Sequence, residues 1–113
     1  MKLAPLAALA LAASCARAPR TVEVRMVSDE AGNRFVPARV SVRKGDVLRF
    51  TLGSGIHGVR FSSIHGGGLP RPTALLNRSG ESVDVPVRLP PGEYAIVCDP
   101  HVELGMVGTV VVE

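Results

Sequence analysis

The stretch 92-GEYAIVCDPHVELGMVGTVVVE-113 decides how the rest of the chain is read. Residues 94–97 and 107–112 are β-branched and aromatic runs and predict two strands. Pro100 and Gly105 interrupt them, so Cys98, His101 and Met106 fall on one short loop. A thiol, an imidazole and a thioether are three metal-binding groups, and two of them are soft sulfur donors. Far upstream, His57 ends another strand-like run and offers a second imidazole. This set suits copper better than any other common metal. Sulfur stabilises Cu(I), imidazole accepts Cu(II), and a site that holds both states is what an electron carrier requires.

Other chemistry fits less well. A lone Cys or Met in a β protein is ordinarily core. Cys98 and His101 could pair as nucleophile and base, but a tight turn rarely gives that pair the right angle, and no third orienting residue is evident. Zinc accepts Cys and His yet gains little from a neutral thioether.

The pattern GxYxxxCxPHxxxGMxG over residues 92–108 resembles the copper loop of the plastocyanins and related cupredoxins. FVPARVSVRKGDVLRF (35–50) resembles the early strands of that family, and LLNRSGE (75–81) a later turn. The resemblance implies an all-β Greek-key sandwich holding one type 1 copper, with His57, Cys98, His101 and Met106 as ligands. It is broken in places. Many plastocyanins carry Asn after the upstream His and Ser or Thr after the Cys; here Gly58 and Asp99 stand there. Asp99 would accept backbone N–H bonds or face solvent. The aromatic that often precedes the Cys and docks partners is Val97, and Asp29-Glu30 is too small to act as an acidic patch. Photosynthetic plastocyanin proper is therefore not implied.

The chain opens with Met1-Lys2 and an apolar run over 3–13, too short to span a bilayer and followed by small residues. Residues 1–20 read as an export leader with a short tether over 16–20, and 21–113 as the copper-binding domain. Cys15 directly follows Ala12, Ala13 and Ser14, as in a bacterial lipobox, although Leu11 lies one place too far upstream. Lipidation of Cys15 is favoured over simple cleavage beside it. The expected location is periplasmic or cell-surface, with any membrane association made through Cys15. That leaves Cys98 unpaired in an oxidising compartment, which a bound metal would resolve.

About a hundred residues then form one domain. At 46% hydrophobic and 20% charged the chain can bury a core; with no Trp and 4% aromatics, aliphatic side chains must fill it. Removing Lys2 with the leader leaves 12 basic against 10 acidic side chains, or +2. Alternation at 22–26, 40–43, 47–52 and 82–89 predicts short strands, with residues 29–34 as a turn, 56–61 as a strand and Pro86 marking an edge or bulge. Turn signals every eight to twelve residues predict an antiparallel sandwich without an amphipathic helix. His65, beside three glycines, competes with His57 for the upstream ligand place and is read as a solvated loop residue.

Three functions follow from different classes. An electron carrier meets a redox partner protein near His101, acts as a monomer and needs no nucleic acid. A storage or delivery protein uses the same copper site. An enzyme would need an open coordination position or the further His clusters of multicopper oxidases, and the sequence offers neither.

Overall fold

Alternation of buried and exposed positions organises most strands of the computed structural model, which describes residues 17–63 and 68–113. The strands are β1 (Thr21–Asp29), β2 (Gly32–Val36), β3 (Arg39–Val42), β4 (Val47–Leu52), β5 (Arg60–Ser62), β6 (Ser82–Pro86), β7 (Gly92–Val97) and β8 (Val107–Val112). They form two four-stranded sheets, in the orders β2-β1-β4-β6 and β3-β8-β7-β5. This is the expected β-sandwich. Within it β1–β4 and β3–β8 run parallel, while the other four ladders are antiparallel. The parallel pairs arise because the chain changes sheet at nearly every connection, leaving only β1–β2 and β7–β8 as sequential pairs within one sheet.

Val24, Met26, Leu48, Phe50 and Leu52 point inward from the first sheet and Phe61, Ile96, Val110 and Val112 from the second, and all are at least nine-tenths buried. The filling is mostly aliphatic, but the three Phe side chains form its axis. Phe50 sits edge-to-face between Phe35, at 6.5 Å, and Phe61, at 6.3 Å. Such aromatic pairs add roughly 0.5–1.5 kcal/mol each beyond their burial.

Three local expectations change. Residues 32–36 are a strand, since the turn after β1 is confined to Glu30-Ala31 and Arg34 sits opposite Val27 in the ladder. Residues 56–59 are not part of a strand; β5 begins only at Arg60, and His57 makes an isolated bridge to Leu76. Residues 99–104 form a 3₁₀ turn rather than an irregular loop. Pro86 does stand on an edge strand, where its missing N–H costs no ladder bond. The leader with Cys15, and His65, lie outside the described residues.

Candidate metal centre

The loop between β7 and β8 closes on itself through its own backbone. Cys98 precedes the 3₁₀ turn Asp99–Leu104, whose first turn contains Pro100, a residue with no N–H to satisfy. The N–H of His101 donates to the Cys98 carbonyl at 2.9 Å. Gly105 ends the turn at φ 86°, a left-handed conformation that glycine adopts without strain. Met106 then donates to the His101 carbonyl, and its own carbonyl accepts the Cys98 N–H, both at 3.2 Å. Three short bonds therefore fix the relative places of Cys98, His101 and Met106.

His57 reaches the same place from the other side. Its backbone exchanges two hydrogen bonds with Leu76, at 3.2 and 2.8 Å. The ligating atoms of His57, Cys98 and His101 all lie within 4.8 Å of one another. Nδ1 of His57 is 3.8 Å and Nδ1 of His101 3.6 Å from Cys98 Sγ, and the two rings meet edge-to-face at 4.9 Å. His57, Cys98 and Met106 are fully buried, whereas His101 is partly exposed. Burial, reinforced by the neighbouring His101, holds the His57 pKa below 6.5. A neutral imidazole beside a buried thiol, with a partly accessible second imidazole, is a donor set that fits copper.

The groups that orient His57 are not visible as a motif. Its Nε2 lies 3.0 Å from Ser28 Oγ, and that hydroxyl donates to Asn33 Oδ1 at 2.6 Å. With its proton committed to Asn33, Ser28 accepts from Nε2–H, which leaves the Nδ1 lone pair facing Cys98. Ser28 is in turn fixed by Ser54, whose hydroxyl accepts the Ser28 N–H and donates to the Ser28 carbonyl, both at 2.8 Å. Gly55, at φ 85°, leaves room for this relay; a Cβ there would lie 2.7 Å from His57 Nε2. The Gly53-Ser54-Gly55 sequence is thus the clamp that holds His57.

Gly58 and Asp99 also acquire roles. A Cβ at Gly58 would come within 3.0 Å of Leu75 Cδ2, so the 73–76 segment fills that space. Thr73 accepts the Val59 N–H through its hydroxyl at 2.9 Å. The Asp99 carboxylate accepts Arg60 Nε at 2.9 and 3.2 Å, tying β5 to the turn. Both partners are exposed, so the pair contributes about 0–1 kcal/mol. Ile56, Val102 and Leu104, the neighbours of the two histidines, are exposed, Leu104 by 72%. Leu75 joins them at 55%.

Comparison with known proteins agrees with this geometry. The sequence profile of copper binding proteins of the plastocyanin/azurin family matches residues 22–113. The chain is 35% identical to the chloroplastic plastocyanin minor isoform of Arabidopsis thaliana, over 94% of this chain and 67% of that protein. It resembles a solved mutant fern plastocyanin at a TM-score of 0.67 and 30% identity, covering 81% of this chain and all of that one. It also resembles the Cu-containing nitrite reductase of Thermus scotoductus, at a TM-score of 0.68 and 27% identity, but covers only 23% of that chain. The chain belongs to the plastocyanin/azurin family of copper-binding proteins, and its cofactor is a single type 1 copper.

Proposed function

From that membership, we propose that the protein is an exported electron carrier whose copper is held by His57, Cys98, His101 and Met106. The observation that carries the reading is the convergence of two Nδ1 atoms on one buried thiol sulfur, within 4.8 Å. When bound, copper supplies a Cu(II)/Cu(I) couple. Cys98 would supply the thiolate, His57 an imidazole held in place by Ser28, and Met106 a weak thioether donor at the buried end of the loop. His101, partly exposed among apolar neighbours, is the route by which electrons reach a redox partner protein. Among the described residues this is the single cluster of three or more His, Cys, Asp or Glu donors.

Adding Cu(II) to the mature protein is expected to give one intense thiolate-to-copper band in the visible spectrum. Cys98→Ser abolishes the band, and Met106→Leu keeps copper while raising the reduction potential. A colourless stoichiometric complex, or a band that survives Cys98→Ser, would overturn the ligand assignment. Rapid loss of metal to a chelator on reduction would instead support storage or delivery.

A further inference from the structure

We propose that the end of the sandwich opposite the copper donors lies against an anionic membrane surface, holding the redox end away from the bilayer. The proposal rests on the reading of Cys15 as a lipid-bearing N-terminus, and adds to that anchor a charged face that orients the domain.

The face is assembled by one carboxylate. Asp46 is 2% exposed and accepts Arg17 Nη2 at 2.9 Å and Nη1 at 3.3 Å, together with the backbone N–H groups of Arg20 and Arg43 at 2.9 Å each. Asp46 also accepts the Val87 N–H through its own carbonyl, while Gly45 donates to the Val87 carbonyl. Arg17, Arg20, Arg43, Lys44 and Arg88 are thereby gathered at one end. The last four are exposed, and none of them forms an ion pair with another described residue. Acidic groups at this end are Asp46, already paired, Glu93, paired with Arg39 at 3.1 Å, and Glu113, whose N–H donates to the Val42 carbonyl. With the Arg39–Glu93 pair included, six of the 12 basic side chains beyond Lys2 stand here against three of the ten acidic ones; elsewhere six face seven. The domain is therefore positive at one end and near neutral at the other. β1 runs from this face toward Ser28, so roughly 26 Å of strand separates the two ends.

The same carboxylate shortens the tether. With Arg17 clamped on Asp46, only Ala16 lies between Cys15 and a fixed residue. Two Cα steps span at most about 7 Å. That is within one Debye length, about 8 Å at physiological salt, so screening weakens but does not abolish the attraction of the exposed cations for headgroups. An acidic protein would have to displace the bilayer from a face tethered this closely to it.

Vesicle co-sedimentation tests the proposal. Both sheets and their core lie within residues 17–113, so a form beginning at Arg17 keeps the whole described fold. It is expected to bind phosphatidylcholine vesicles containing 30% phosphatidylglycerol at low salt, but neither vesicles of phosphatidylcholine alone nor the mixed ones in 0.5 M salt. Neutralising Arg43, Lys44 and Arg88 to Gln should weaken binding about a hundredfold, at roughly fivefold per charge. Circular dichroism checks that this variant stays folded. Equal binding by the triple variant, or no preference for the anionic vesicles, overturns the proposal; so does capture of acidic proteins without vesicle binding. Retention of the full chain in cell membranes washed with 0.5 M salt reports the lipid anchor alone, so the two readings fail separately.

Discussion

At the scale of single residues, the candidate donors were readable and the groups that hold them were not. Cys98, His101 and Met106 share a short loop, and the spacing of three rare donor types announces itself. Ser28 touches His57, and Asn33, on the next strand, reaches Ser28 only because the β1–β2 hairpin folds them together. No local pattern encodes that contact. Its consequence is testable: Ser28→Ala removes the acceptor from His57 Nε2–H and frees the imidazole to rotate or change tautomer. Copper affinity is expected to fall roughly 10–100-fold. The ¹⁵N spectrum of the metal-free protein should then show a mixture of His57 tautomers where the parent shows one. Unchanged affinity with an unchanged tautomer would show that the hydroxyl positions nothing. Asp99 makes the complementary point, since the sequence places it in the loop but only the fold brings Arg60 within reach.

At the scale of elements, strands whose faces differ in burial were legible, and those shaped by their ends were not. β4 alternates cleanly and was placed from sequence alone, and so was the alternating part of β1 as far as Met26. The 56–61 run looked continuous, yet the two backbone bonds of His57 go to Leu76, which stops β5 short and turns the ligand inward. β2 was hidden because polar residues dominate its first half. The core elements depend on Phe50, wholly buried in the middle of β4 between two other aromatic rings. Phe50→Ala should therefore cost about 3–5 kcal/mol in denaturant unfolding, and a cost below 1 kcal/mol would mean that β4 repacks freely. The turn after β3 is governed by charge instead. Hydrogen bonds from the Arg17 guanidinium and from two backbone N–H groups hold the Asp46 carboxyl well below its ordinary 3.8. As pH falls through 3.8 the unfolded chain takes up this proton first, so the stabilisation is complete above that pH and is lost progressively below it. Asp46→Asn should lower stability at pH 7 by about 2–3 kcal/mol and flatten the acid limb of the stability–pH curve. A variant as stable as the parent at pH 7 would show that the carboxylate does not hold the turn.

At the scale of the whole molecule, the two ends divide their work. The sandwich gathers a cluster of exposed cations where the N-terminal segment leaves it and exposed aliphatic side chains where the donors gather. Sequence composition showed only a small net positive charge; the separation emerges when eight strands bring distant turns to one end or the other. At the donor end Asp29 pairs with Arg34 and Asp99 with Arg60, leaving little field to steer a partner. Encounters there must rely on Ile56, Leu75, Val102 and Leu104, a small apolar surface that expels water without binding tightly. Glu103 interrupts it, so the patch is not wholly apolar. Association at this end should depend only weakly on salt. Leu104, the most exposed of these side chains, makes the decisive test because it is not a donor and packs against nothing that a variant would disturb. Leu104→Lys places a hydrated charge beside His101 that any apolar contact must strip of water. Electron self-exchange, followed by NMR line broadening, should slow about tenfold, equivalent to about 1.4 kcal/mol, while the visible spectrum and potential of the copper protein stay as they were. An unchanged rate would place the electron's exit elsewhere on the surface, and a changed spectrum would mean that Leu104 shapes the site rather than the encounter.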